Sequence, residues 1–285
     1  MFVKHLLNDG RQQLEESLGR PIVYLDNWAL NDIALDASHK ERFVNIMKAR
    51  KGTLRLSESN LVELMKQKDR QQISAILEMI DSIDAGFINT NFIEVIRREN
   101  GILLGKVQGN PSQKIRLIWT YLLVQNWPES WAMSDVIRTV LDNSSGEQMR
   151  ESWDQFAVRM QSFLNSVRSD SKYMSLSKER AKTTRKRGKE YDRPTRELFQ
   201  LGFNFVLQNI DMRMNSNEWH DFFHAIVPVA YCDLVLLDKR WATFVSQTGF
   251  KFPDVAFVFD KKSIEEFFIA LATASLLDDG VEPGQ

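Results

Sequence analysis

Cysteine is nearly absent, since only Cys232 among 285 residues carries a thiol. One cysteine excludes an intrachain disulfide framework and any cysteine-rich zinc site, and sets the expectation of a reducing, cytoplasmic setting. No apolar run approaches the roughly 18 residues that span a bilayer. Met1 to Leu7 gives way at once to polar residues instead of a signal-peptide core, so neither a membrane span nor an export signal is expected. Net charge is small as well, at −1, which removes a global attraction to polyanions and leaves only local ones. A Gly-x-x-x-x-Gly-Lys-Ser/Thr loop, a dinucleotide fingerprint and a Gly-x-Ser-x-Gly elbow are all missing from the chain.

What remains is an ordinary globular composition, 43% hydrophobic and 26% charged, in a chain long enough for one large domain or a domain with an insertion. The stretch from Trp219 to Asp238 is the most informative. Asn215, Ser216 or Asn217 can cap a helix that places Glu218 and Asp221 near its positive end. Asp221 and His224, three apart, share a face of that helix, and Pro228 is expected to strain it. Leu234 to Leu237 is too short an apolar run for a helix and reads as a strand buried on both faces in a parallel sheet, with Asp238 at its end. Ile22 to Leu25 repeats the layout and ends in Asp26. Ligands gather beyond the carboxyl ends of strands in such sheets, so two strands delivering aspartates to one rim make a candidate metal site.

The remaining chain reads in order. Residues 1–20 are expected to form a short helix ending at Gly19. Helices follow at about Trp28–Leu35 and Ser38–Arg50, then a strand Thr53–Leu56 and a helix capped by Ser57. A helix from about Gln71 to Asp84 stops at Gly86, Phe87-Ile88 opens a third strand, and Phe92–Arg97 leans to helix. Gly101 to Pro111 is an irregular connection into a stretch that is helical almost to Ile210. Within it, Met149, Trp153, Phe156, Met160, Phe163 and Val167 form a narrow seam, expected to pack inside a bundle of that stretch's own helices, with a coil between two copies as the alternative. Residues 168–196 hold eleven Lys or Arg against four acids, read as a mobile loop or an exposed helix. A short helix follows Asp238, then an edge-side strand Val255–Phe259, a closing helix Ser263–Leu277 and an acidic tail.

A hydrophobic strand followed by Asp26-Asn27, a helix carrying Ser57-Glu58-Ser59-Asn60-Leu61-Val62-Glu63 after the second strand, and the late Asp221-helix-strand-Asp238 block resemble the PIN-domain nucleases. The resemblance covers roughly residues 20–95 and 216–275. It implies an α/β, PIN-like three-layer fold with a central parallel sheet, formed by residues 1–99 and 216–285, and a helical insertion over 100–215. Carried across residue by residue, the family's acidic quartet falls on Asp26, Glu63, Asp221 and Asp238, as catalytic residues and ligands of Mg²⁺ or Mn²⁺. The implied function is a metal-dependent endonuclease with RNA favoured over DNA, in a family whose members often serve as toxins or defence effectors. Such a role leaves room for a homo-oligomer and a cognate inhibitor protein. The chain departs from the family pattern where Asn27 and Trp28 replace the usual small hydroxyl residue after the first aspartate, and where Leu236 stands two before the last.

Each assignment has a structural counterpart. Asp26 can cap the next helix, and Asp221 can complement a helix dipole. Glu63 lies on the polar side of its helix with Ser59, Asn60 and Gln67, so the resemblance, not the spacing, selects it over Glu58. Asn27, His220, His224 and Asp233 are candidates for supporting the acids or touching substrate, while Asp233 also reads as a turn residue and Asp260 as a simple strand end. Trp28 reads as core packing before base stacking. Lys182, Arg185, Lys186, Arg187 and Lys189 are the candidate grip on a phosphate backbone, with a solvated charge run as the alternative. Two other functions stay open: a catalytically silent module binding nucleic acid or protein, and a metal-dependent hydrolase of small phosphate esters.

Overall fold

A computed structural model describes residues 2–6, 12–106, 110–114, 116–126, 128, 130–143, 146–184, 194–212, 214–248, 250 and 255–273. The chain begins with strands β1 (Phe2–Leu6) and β2 (Gln12–Glu16), paired antiparallel from Phe2↔Glu16 to Leu6↔Gln12. The helix expected over residues 1–20 is therefore corrected. Leu14 and Glu16 lie two apart and leave one face of β2, where Leu14 is buried and Glu16 meets Arg55 in an ion pair almost closed to solvent. These long-range partners override local helical propensity.

The central sheet follows. Its strands are β3 (Ile22–Leu25), β4 (Thr53–Leu56), β5 (Asp84–Phe87), β6 (Leu234–Leu236) and β7 (Phe257–Phe259), all parallel, in the order β5-β4-β3-β6-β7. Both faces are covered, which is why β3 and β6 read as unbroken apolar runs. Val23, Leu25, Leu54, Leu56, Leu234 and Leu236 face one core; Ile22, Tyr24, Val235 and Leu237 face the other.

The helices are α1 (Asn27–Leu35), α2 (Ala37–Arg50), α3 (Glu58–Lys66), α4 (Arg70–Asp81), α5 (Phe92–Leu103), α6 (Arg116–Val124), α7 (Met133–Asn143), α8 (Gly146–Ser169), α9 (Ser171–Thr184), α10 (Pro194–Gln208), α11 (Ser216–Tyr231), α12 (Lys239–Thr248) and α13 (Ile264–Thr273). The first core takes Ile33, Phe43, Ile80 and Phe267 from α1, α2, α4 and α13; the second takes Val95, Phe222 and Trp241 from α5, α11 and α12. The architecture is thus a three-layer α/β fold around a five-stranded parallel sheet.

The helices between residues 100 and 215 divide between these two cores. Ile118 and Val136 of α6 and α7 join the first, while Ala157, Leu164 and Leu198 of α8 and α10 join the second beside Trp219. Helix α8 accordingly lies against α11 and α3 as well as α9 and α10, and not within a bundle closed on itself; Phe163 is half exposed. Helix α4 ends at Asp81, three residues before the point expected, because Asp84 already pairs with Thr53 in the sheet. Gly86 lies inside β5 instead of ending a helix. A Cβ there would collide with the Glu16 carboxylate, so the glycine makes room for the Glu16–Arg55 pair. The closing helix begins at Ile264, and the acidic tail lies outside the described residues.

Candidate active site

The strand order fixes where a site can form. From β3 the chain steps outward through β4 to β5, then returns to the other side of β3 for β6 and β7. The turns leaving β3 and β6 therefore diverge in opposite directions, opening a crevice at the carboxyl ends of these two neighbours. Asp26 directly follows β3 and Asp238 comes two residues after β6, in a register that pairs Leu25 with Leu236. Both aspartates flank the crevice.

Each is also a helix cap. Asp26 Oδ1 accepts from Asn27 N at 2.8 Å and Asp238 Oδ1 from Trp241 N at 3.0 Å, starting α1 and α12. A cap occupies one carboxylate oxygen, so the structural and the functional roles are compatible. Asp260 caps the turn after β7 in the same manner, accepting from Lys262 and Ser263. Strand position alone thus does not distinguish the three. The neighbouring charges do.

Asp221 reaches the rim by simple geometry. Helix α11 runs back toward the start of β6, and about ten residues at 1.5 Å each return roughly the length that β6 and its following turn travel forward. Asp221 is then level with Asp238. Its helix begins with a capping box in which Asn215 accepts from Glu218 N and Glu218 accepts from Asn215 N. Pro228 sits inside α11, which nonetheless continues to Tyr231. Glu63 comes from α3, the helix after β4, and pairs with Lys66 at 2.5 Å.

Asp26 and Asp221 feel neighbouring carboxylates. Burial pushes the Asp26 carboxyl up to about 6, against the lowering effect of its Asn27 hydrogen bond, and the charges of Asp238 and Glu63 push it further. Burial likewise raises Asp221 to about 7, with Asp26, Asp238 and Glu63 adding to the rise and Arg240 opposing it. Four segments far apart in sequence deliver these carboxylates. Asp260 takes no part in either shift.

A buried polar network supports the rim. Asn60, almost closed to solvent, accepts from Ser57 N at 2.8 Å and donates to Leu25 O at 3.2 Å and Asn27 Oδ1 at 2.7 Å. Asn27 Nδ2 donates to Ser59 Oγ at 3.3 Å, and the Tyr24 and Ser57 hydroxyls are 3.1 Å apart. Asn60 thus ties the turn after β3 to the turn after β4. Sequence reasoning missed it, although the Ser57-x-x-Asn60 spacing is that of a capping box. Arg240 was missed too; it is held by Glu218 at 2.5 Å, one turn of α11 before Asp221.

The other candidates divide. Asn27 lies at the rim within this network. His224 is buried, so contact with substrate is corrected to an interior role; burial, then the neighbouring His220 and Lys114, drop it to about 3 and keep the imidazole neutral. His220 is half-buried, its ring 6.2 Å from that of His224. Asp233 is at the wrong end of the sheet for substrate contact. It precedes β6, accepts from Ile22 N at 2.7 Å and pairs with Arg20 at 3.3 Å, because a side chain before a parallel strand meets the amino ends of its neighbours. Trp28 packs against the first core. Arg185, Lys186, Arg187 and Lys189 lie outside the described residues, as does the side chain of Lys182, whose backbone belongs to α9.

As a donor set, four carboxylates match a hard divalent cation, which takes oxygen ligands and would neutralise the charge that lifts Asp26 and Asp221. The set is loose: among the described residues no group of three or more His, Cys, Asp or Glu side chains is gathered to hold a metal ion. No helix among the described residues is long and apolar enough to cross a membrane. Comparisons with protein-family models, curated proteins and solved structures find nothing that matches the chain.

Proposed function

We propose that the protein is a metal-dependent endonuclease of PIN-like type that hydrolyses phosphodiester bonds, with RNA favoured over DNA. One observation carries this reading: Asp26 and Asp238 flank the crevice where the strand order reverses, and burial, then the charges of neighbouring acids including Glu63, raises the Asp26 and Asp221 carboxyls there. Asp26, Asp221 and Asp238 would hold Mg²⁺ or Mn²⁺, with Glu63 released from Lys66 as a further ligand or as the group that holds the attacking water. The ion supplies charge neutralisation and an acidified water. The residues' own part is positional. Helix caps fix Asp26 and Asp238, and Asn60 braces the turn that carries Asp26.

Arg240, held by Glu218 next to Asp221, and Lys114, paired with Glu58, add cations near the rim for a substrate's phosphates. The excess of Lys and Arg in the sequence over 168–196 offers counterion-release contacts that a polymer, more than a small phosphate ester, would use. A toxin or defence role, with an inhibitor partner, follows from the family resemblance alone.

A second reading rests on a different observation. Asp26 and Asp238 are already used as caps and Glu63 is already paired, an arrangement that a catalytically silent binding module would share. Incubation with labelled single-stranded RNA, duplex DNA and a nucleotide panel, in Mn²⁺ or in chelator, separates the two. Metal-dependent cleavage that disappears in Asp26→Asn and Asp238→Asn is expected. Binding without turnover in any metal overturns the nuclease reading in favour of the silent module.

A further inference from the structure

A cavity of about 170 Å³ opens between α1 and α3, immediately beside the acidic rim. Leu30 and Leu64 lie beneath it almost closed to solvent, so the accessible lining is mainly polar. Asn27, Asn31, Asn60 and Gln67 supply amide walls, and the half-exposed Glu63 and Lys66 stand at its mouth. Its size is that of one flat ring, since an engineered cavity of about 150 Å³ takes up benzene. Its chemistry is unsuited to a phosphate, because the Glu63 carboxylate offsets the Lys66 ammonium. Amide side chains instead match neutral groups that present donors and acceptors along one edge.

The amides are held before any ligand arrives. Asn60 fixes the Asn27 carboxamide through its oxygen, and Asn31 Nδ2 donates to Asn27 O at 2.7 Å, which engages the donor end of Asn31 and not its carbonyl. Groups fixed in advance lose little entropy on binding.

We infer that this cleft seats a nucleobase, the one carried by the nucleotide beside the scissile phosphate, with the ring between the amide walls and its polar edge read by the Asn31 carbonyl. The placement beside a scissile phosphate rests on the nuclease reading, because Asn27 and Glu63 belong to both cleft and rim. The capacity to bind a base does not.

The test uses single-stranded RNA with one cleaved bond and either a normal or an abasic nucleotide at the adjoining position. In the natural protein kcat/KM is expected to favour the base-bearing substrate by at least about tenfold. Asn31→Trp, which fills the cleft, brings that ratio close to one, and Asn31→Leu, which keeps about the same volume but removes the carbonyl acceptor, changes which of the four bases is preferred. A ratio near one in the natural protein, or an unchanged ratio and base preference in both variants, overturns the inference. Nucleoside titration of the full chain in chelator, followed by NMR, supplies the independent arm. If nucleosides shift the signals of α1 and α3 while no RNA is cut, the cleft stands and the nuclease reading fails. If RNA is cut without base preference and those signals stay still, the nuclease reading stands and the cleft fails.

Discussion

The two ends of the central sheet use the same residue types to opposite effect. At the amino end, Asp233 accepts from Ile22 N and pairs with Arg20, the Asp84 carboxylate accepts from the Thr53 hydroxyl, and Glu16 meets Arg55 inside the fold. Asp233 and Glu16 each meet an arginine and Asp84 a hydroxyl; the rim acids are bonded too, Asp26 and Asp238 to backbone amides and Glu63 to Lys66, but Asp26 and Asp221 also feel other carboxylates. At the carboxyl end, Asp26 and Asp221 are raised by burial and by other carboxylates, with Arg240 as the cation opposing the rise at Asp221. Matched charge stabilises a fold; unmatched charge is retained at a cost that a ligand can relieve. The second end is therefore the one to test for chemistry.

The largest expected effect is at the carboxyl end. Asp238→Asn keeps a capping side chain yet removes one of the charges acting on Asp26 and Asp221, so cleavage should fall by about a thousandfold or more, equivalent to about 4 kcal/mol of barrier. Thermal stability in chelator should not fall. A variant that cuts RNA at the natural rate would remove Asp238 from the reaction and with it the contrast between the ends.

At the amino end the same logic predicts loss of fold, not of chemistry. Arg55→Leu leaves the Glu16 carboxylate buried without its cation, and burial already drives that carboxyl upward against the pull of Arg55. Breaking a buried pair on one side costs about 3 kcal/mol or more. Urea denaturation should report it, and Arg55→Leu combined with Glu16→Leu should recover much of the loss. Failure of the double variant to recover would show that Arg55 acts chiefly through Phe87 O, to which it also donates.

The pH dependence sharpens the comparison further. Both rim carboxyls have folded values, about 6 for Asp26 and about 7 for Asp221, above the ordinary 3.8. The folded state thus favours their protonated forms. Their stabilising contribution is complete below about pH 4 and is lost as pH rises through 6 to 7. Metal-free protein should accordingly lose stability between pH 4 and 8, and Mn²⁺ should reverse the loss at pH 8. Denaturation midpoints across pH, with and without the ion, measure both. A stability that instead rises through this window in chelator would mean that the rim acids are ionised at no cost.

How much of this was legible in the sequence follows from what each residue's partners are. The strands Ile22–Leu25 and Leu234–Leu236 were legible because burial on both faces leaves short, unbroken apolar runs, and Asp26 and Asp238 were legible because they end them. The hairpin at residues 2–16 was not. Its reason for being a strand, the Glu16–Arg55 pair, lies 39 residues away in sequence. Glu63 sits on the polar side of α3, where functional and merely solvated residues share one pattern, so only a resemblance could select it. Asn60 was hidden for the converse reason: an amide on that same side reads as surface, yet the turns after β3 and β4 close over it and leave it 1% exposed.

The smallest effect separates Asp233 from Asp238, five residues apart on the two sides of one strand. Asp233→Ala removes the acceptor for Ile22 N, a 2.7 Å hydrogen bond that joins the turn before β6 to the start of β3, and the partner of Arg20. Leaving that amide unsatisfied costs about 1–2 kcal/mol. Arg20 is largely exposed and contributes little to the sum. Cleavage per folded molecule should be unchanged, because β6 spans the thickness of the sheet between this turn and the rim. Asp233→Asn, which keeps an acceptor and drops the charge, should recover most of the stability. If Asp233→Ala lowers kcat while the protein remains folded, the two ends are mechanically coupled through β3 and β6, and the division of labour between matched and unmatched carboxylates does not hold.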